Sequence, residues 1–255
     1  MNVLKNILKI LTINIVLMAR QTAAPGTCFI CEEPVTKRTF VTHLLKNHKE
    51  ESGGTQFIIM VDTPYASPYW MALIASPDAT LRELDNMLRD VWVECCGHLS
   101  AFTISGVEYL TSYDGDLDDD DGFSKSESMR IKIKRILEPG MAFKYEYDFG
   151  TTTLLRLKIV DSIIMDEPKK SIIVVGMNNK PEAVCSECGK PAVYHYGEWD
   201  DEQLLCKTCA SDEEVDECYL LPICNSPRTG LCGFEGGRYD SPPDEQDWDE
   251  DEEED

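Results

Sequence analysis

The sequence predicts an α+β fold. The expected core is a mainly antiparallel sheet with one covering helix, flanked by an N-terminal C2H2-like zinc knuckle and a C-terminal four-cysteine zinc ribbon. Three observations predict it. Between residues 55 and 178, short β-type runs follow one another with brief connections and a single helical stretch. Ahead of them stands Cys28-x2-Cys31-x11-His43-x4-His48, and behind them two Cys-x2-Cys pairs, Cys185/Cys188 and Cys206/Cys209.

Residues 1–19 are apolar with Lys5 and Lys9 inside them, and the run Ile10–Ala19, interrupted by Asn14, is too short to span a bilayer. They read as an extension ahead of a working start at Met18. A signal peptide ending near Thr22-Ala23-Ala24 is the competing reading. The cysteine spacings downstream fit metal in a reducing compartment better than disulfides, so a cytoplasmic protein without membrane contact is expected. Residues 20–52 form the knuckle, with a helix expected over Thr39–His48. Glu50-Glu51-Ser52-Gly53-Gly54 then reads as a linker.

The sheet domain follows. Phe57–Val61 and Tyr69–Ile74 are apolar strands around a proline-marked turn. Thr80 and Glu83 form a capping box for a helix whose inner face carries Leu81, Leu84, Leu88, Val91 and Trp92. Ala101–Ile104 and Val107–Leu110 make a hairpin over Ser105-Gly106. Met129–Ile136 alternates, Ile131 and Ile133 opposing Lys132 and Lys134, and reads as a half-exposed strand. Ala142–Asp148 and Thr152–Val160 form a further hairpin across Phe149-Gly150-Thr151, and Ser171–Val175 adds a strand. From 182 to 239 apolar content falls and seven of the eleven cysteines gather, so this segment needs a metal staple to fold.

The formal charge is −23, from 24 basic and 47 acidic residues, which argues against a surface that coats nucleic acid everywhere. The acids are concentrated in 114–121, 198–202, 212–217 and 240–255, and the remainder is near neutral. Residues 240–255 hold 11 acids and no base and are expected to be a disordered tail. The run from Asp116 to Glu127 imitates a calcium loop, but Asp121 occupies the place where the sharp turn needs glycine, so it reads as solvated.

Each Cys-x2-Cys turn aims two thiolates at one ion. Cys185, Cys188, Cys206 and Cys209 therefore predict one structural zinc with no open coordination position. Gly189 follows the first pair, where a tight turn favours glycine. Val193-Tyr194-His195-Tyr196 could supply a hairpin between the pairs. Cys28, Cys31, His43 and His48 predict a second structural zinc. Val35 and Phe40 stand where the C2H2 finger family, which this unit resembles, keeps its apolar core. Lys37, Arg38, Lys46 and Lys49 make this knuckle the place where nucleic acid would be contacted. Cys218, Cys224 and Cys232 match no metal spacing, and read as packing thiols rather than a further site with His195. Cys95-Cys96 beside His98 likewise reads as packing rather than a nucleophile with its base. In Tyr145-Glu146-Tyr147-Asp148-Phe149-Gly150 the aromatics share one strand face and the carboxylates the other.

Three stretches resemble the plasmid pRiA4b Orf-three-like family, which includes passenger proteins of an insertion element. In Trp92-Val93-Glu94-Cys95-Cys96-Gly97-His98-Leu99-Ser100-Ala101-Phe102, His98, Leu99 and Phe102 match the family pattern, while Ser100 replaces a second histidine. Glu138-Pro139-Gly140 leads to Tyr145-Glu146-Tyr147-Asp148-Phe149-Gly150, a near-complete match. Thr151-Thr152-Thr153 stands where the family continues Asp-x-Trp. Asn225–Gly233 is similar to the end of a zinc-bearing subgroup. The resemblance implies an α+β domain without an established reaction, in a mobile-element context. The functional expectation is a zinc-binding, non-catalytic interaction protein with a macromolecular partner. Its competitor is an enzyme using His98, Glu146 and Asp148 in a cleft.

Overall fold

The computed structural model describes residues 25–64, 67–111, 126–166, 168–197, 203–212 and 215–240. The N-terminal extension, the acidic run 114–121 and nearly all of the acidic tail lie outside the described residues. The chain divides into two compact units, one of residues 25–87 and 98–181, the other of 88–97 and 182–240. It is rich in sheet and poor in helix, and none of the described helices is long and apolar enough to cross a membrane.

The first unit is built on a ten-stranded sheet. In chain order its strands are β1 (Pro25–Cys28), β2 (Pro34–Thr36), β3 (Gly54–Asp62), β4 (Trp70–Ala75), β5 (Ser100–Ile104), β6 (Val107–Leu110), β7 (Glu127–Ser128), β8 (Ala142–Tyr147), β9 (Thr153–Met165) and β10 (Ile172–Asn178). Across the sheet they run β2-β1-β10-β4-β3-β9-β8-β5-β6-β7, and every pairing is antiparallel except β6 with β7. The central strand β4 is buried along its whole length, as a continuous apolar run requires. On β8, buried Phe143, Tyr145 and Tyr147 alternate with more exposed neighbours.

Helix α1 (Lys37–Asn47) grows directly from β2. Thr36 caps it, accepting from the Thr39 amide at 3.3 Å, while the Thr39 hydroxyl takes the Thr36 N–H at 3.1 Å. Phe40 and Leu44 lie one turn apart and are both fully buried. They join Cys28, Val35, Ile58, Trp70, Ile74 and Val175 in one apolar cluster, so the knuckle shares a core with the sheet. Two glycines make that approach feasible. A Cβ on Gly26 would stand 2.4 Å from the Trp70 ring, and one on Gly176 would stand 2.3 Å from Phe40.

Helix α2 (Leu81–Leu88) carries the expected capping box. Thr80 Oγ1 accepts from the Glu83 amide at 3.2 Å, and the Glu83 carboxylate takes both the Thr80 N–H and its hydroxyl at 2.7 Å. The helix lies on the β5–β8 face through Asp85, which is fully buried. Its Oδ1 accepts from Ser100 Oγ at 2.6 Å and from Tyr145 Oη at 2.8 Å.

Residues 129–136 correct the sequence reading, because they form turns and one short 3₁₀ segment (Ile133–Arg135) instead of a strand. Met129, Ile133 and Leu137 are the buried residues, a spacing of four. The backbone explains the difference. The carbonyls of Ile131 and Met129 accept from the amides of Leu81 and Arg82, and Ile133 N–H donates to Ala79 O. The segment satisfies the orphan donors of α2's first turn, which leaves it no ladder to join.

The second unit holds a three-stranded sheet ordered β12-β11-β13, from β11 (Tyr194–Tyr196), β12 (Gln203–Leu205) and β13 (Leu220–Pro222). The short helix α3 (Lys207–Ala210) follows β12. The helical chain beyond α2 widens to a π turn over Arg89–Val93, and Trp92 is fully buried. Residues 225–240 fasten to it. Ser226 Oγ donates to Trp92 O at 2.6 Å, Arg238 N–H to Asp90 O at 2.9 Å, and the Arg238 guanidinium pairs with the Asp90 carboxylate at 2.6 Å.

Candidate metal centres

Strand β1 ends in Cys28, and the chain turns at once. Glu32 adopts a left-handed conformation (φ +61°) and its N–H returns to Cys28 O at 2.7 Å, which folds Cys31 beside Cys28. His43 sits on α1 and His48 closes its end, with its N–H on Leu44 O. The four donor atoms lie within 4.8 Å of one another. Cys28 Sγ is 3.6 Å from His48 Nε2, Cys31 Sγ 3.4 Å from His43 Nε2, and the two Nε2 atoms are 3.2 Å apart. A tetrahedral ion with bonds of about 2.0–2.3 Å holds its ligands roughly 3.3–3.8 Å from each other, so these edges match a metal-sized centre. Behind His43, the Nδ1 faces the Glu33 carboxylate at 3.6 Å and the Asn47 amide at 3.0 Å, groups that fix the ring's orientation. Burial, then the neighbouring His43, hold the His48 ring below its usual pKa, so it is a neutral donor. Burial pushes the Cys28 thiol up, as expected of a sulfur whose charged form needs a cation.

The second centre is formed by Cys185, Cys188, Cys206 and Cys209, again with all donors within 4.8 Å. Cys185 N–H bonds Lys190 O at 2.8 Å and Gly189 N–H returns to Cys185 O at 3.0 Å, with Gly189 at φ +72°. Cys206 caps α3, its sulfur accepting the Cys209 amide at 3.5 Å, and lies 3.6 Å from Cys188 Sγ. The turns are tied together, since Ser186 N–H bonds Leu204 O at 2.7 Å and Leu204 N–H bonds Ser186 Oγ at 3.1 Å. The expected hairpin between the pairs is present as β11–β12. Burial opposes ionisation of Cys185, but the amides of Cys206, Cys188 and Glu187 outweigh it and draw the thiol down to about 6. The Cys188 and Cys206 side chains push Cys209 up to about 12, so the four sulfurs share their protons unequally.

Spacing did not reveal a third gathering of thiols. Cys95, Cys96 and Cys232, all of the second unit, bring their sulfurs within 4.8 Å of one another. Cys218 and Cys224 join no such group among the described residues. Cys224 is buried and Cys218 exposed.

Of the residues considered for an enzyme, the structure brings two together. His98 Nε2 lies 3.5 Å from Asp148 Oδ2, and Asp148 is 5% exposed in a left-handed turn (φ +62°). Glu146 belongs to the other face of β8, at a position alternating with buried Tyr145 and Tyr147. The knuckle cations are arranged differently. Arg38, Lys46 and Lys49 are exposed, whereas Lys37 pairs with the Asp62 carboxylate, which also takes Arg156 Nε at 2.8 Å. Beside them runs a groove of about 380 Å3, lined by Lys37, Val41, Met60, Asp62, Arg156 and Lys158.

No curated protein matches the chain. Among solved structures, the chain is similar to a protein of unknown function, MM3350, from Methanosarcina mazei Go1. The identity is 15% and the TM-score 0.40, over 55% of this chain and 76% of that one. The family model of the plasmid pRiA4b ORF-3-like protein matches residues 56–199, more than half of the chain, and the protein belongs to that family.

Proposed function

We propose that the chain is a zinc-binding, non-catalytic interaction protein whose N-terminal knuckle contacts nucleic acid. The observation that carries this reading is the pair of closed four-donor sets, Cys28/Cys31/His43/His48 and Cys185/Cys188/Cys206/Cys209. Thiolates and imidazoles at tetrahedral spacing favour zinc over harder cations. Four protein ligands leave no coordination position for a substrate, so both ions would be structural. The knuckle would be the N-terminal member and the ribbon the C-terminal one.

Electrostatics supports the choice of partner. Arg38, Lys46 and Lys49 are exposed on and just beyond α1. Lys37 and Arg156 share a single carboxylate, that of Asp62, and Lys158 lines the same groove. The rim therefore carries an excess of positive charge in an otherwise acidic chain, as a phosphate backbone requires. The family's plasmid association is consistent with work on nucleic acid.

The test joins metal content to binding. Elemental analysis should find zinc, and Cys206→Ser should lower it by about one equivalent. Fluorescence anisotropy on single- and double-stranded DNA and RNA should show affinity falling with salt, with a log–log slope of about −3 to −4 for four phosphate contacts. The Lys37→Glu, Arg38→Glu double variant should flatten that slope by about two contacts. Binding that ignores both salt and these changes would eliminate the nucleic-acid reading. Zinc content unchanged in Cys206→Ser would eliminate the ribbon.

A further inference from the structure

Adjacent residues in extended chain point their side chains apart, so two neighbouring thiols that converge need a bent backbone. The second unit supplies one just after the π turn Arg89–Val93. Gly97 stands at φ +74°, and its N–H donates to Glu94 Oε1 at 2.6 Å. Within this turn Cys95 Sγ and Cys96 Sγ lie 3.5 Å apart. The third sulfur arrives from 136 residues away, Cys232 Sγ standing 3.7 Å from Cys96 Sγ.

The loop that delivers Cys232 is held for the purpose. Arg228 N–H bonds Ser226 Oγ at 2.8 Å, and Ser226 in turn bonds the Trp92 carbonyl. Leu231 N–H returns to Arg228 O at 3.0 Å and Phe234 N–H to Leu231 O at 2.9 Å. Cys232 itself is left-handed at φ +50°, a conformation that costs energy in a residue other than glycine and persists only when its surroundings impose it.

Charge points the same way. The Arg228 side chain is fully buried, and its Nη2 donates to Cys95 Sγ at 3.3 Å. Three thiolates around a divalent ion leave one net negative charge, and a buried guanidinium beside them offsets it.

We propose that Cys95, Cys96 and Cys232 form a third metal centre, a zinc site of three thiolates. The sulfur separations of 3.5 and 3.7 Å match tetrahedral edges of about 3.8 Å for Zn–S bonds of about 2.3 Å. Such an ion would clamp the Asn225–Gly233 loop onto the turn that follows the π helix. The site is independent of the two centres above, and its loss leaves their ligands intact.

The test uses full-length protein purified with zinc. Native mass spectrometry and elemental analysis should give three equivalents in the wild type, two in Cys232→Ser and two in Cys206→Ser. The double variant should hold one, which separates failure here from failure of the ribbon. In cadmium-loaded protein, NMR should show one resonance in the range of three-sulfur sites, absent from Cys96→Ser and Cys232→Ser. That readout does not depend on whether either variant is less stable, because the wild-type resonance is itself decisive. Two equivalents in the wild type, or no resonance in that range, would overturn the proposal. So would an intact mass showing that Cys96 and Cys232 are joined as a disulfide in the reduced preparation.

Discussion

Replacing Phe40 with alanine tests whether the knuckle and the sheet are one folding unit. Phe40 is fully buried, its ring lies 5.6 Å from that of Trp70, and Gly176 is bare of a side chain where the ring passes. Little around it can collapse, because β10 and β4 on the floor of the site are paired on both sides. Removing a large ring from such a place costs about 3–5 kcal/mol, a large share of the roughly 5–15 kcal/mol that holds a domain together. At about 2–4 °C per kcal/mol for a domain of this size, the melting temperature should fall on the order of 10 °C. Circular dichroism of the sheet and tryptophan fluorescence should report the same shift, since Trp70 belongs to the same cluster. Phe40→Leu, which fills most of the volume, should lose less than half as much. A drop below about 2 °C in Phe40→Ala, with the sheet transition unchanged, would refute the shared core.

Two further outcomes follow from named contacts. Asp85→Ala removes the acceptor of two buried hydroxyls, those of Ser100 and Tyr145, and should cost about 2–4 kcal/mol by denaturant titration. Asp85→Asn keeps the single oxygen that serves both and should cost less than half of that; an equal loss would mean that the charge, not the acceptor, is what matters. Burial raises the Glu83 pKa, but hydrogen bonds from Ser171 and Thr80 outweigh it and leave the carboxyl below its usual 4.5. A depressed folded pKa stabilises above the unfolded value and is lost as pH falls through the folded one. The stability gap between wild type and Glu83→Gln should therefore be constant above about pH 5 and shrink steadily below it. A gap that widens in acid would contradict the assignment.

How much was legible in the sequence depended on distance along the chain. The donors of the first two centres are local, within 20 residues of one another in the knuckle and 24 in the ribbon, and turns and helix period fix their geometry. The helix cap at Thr80–Glu83 and the hairpin across Phe149-Gly150-Thr151 are local for the same reason. Residues 129–136 misled because alternation of Ile with Lys records which side chains are buried, not where the carbonyls go; here they go to α2's first turn. The third thiol group was invisible because Cys232 reaches Cys96 only through the fold. No spacing rule links residues 136 apart, although both Cys95-Cys96 and Cys232 stood out singly.

The union of knuckle and sheet was also beyond the sequence, and it bears most on function. A C2H2-like unit read from spacing suggests a small body on a linker, free to reorient on a partner. Here β1 pairs with β10 over Gly26–Cys28, and Phe40 enters the core of the sheet. Gly26 and Gly176 were the available hints, single glycines inside strand-like runs that mark close approach. The consequence is geometric. Lys37 on α1 and Arg156 and Lys158 on β9 belong to one unit and line one groove, so their charges hold fixed positions relative to each other. A flexible finger loses orientational freedom on binding, whereas a surface fixed in advance does not. Charge reversal at Arg156 should then weaken phosphate binding alongside reversal at Lys37, and a glycine-rich insertion after His48 should leave affinity nearly unchanged, because the strand pairing and not the linker positions the knuckle. An affinity that collapses on that insertion would mean that the linker, not β1 and Phe40, sets the knuckle's place.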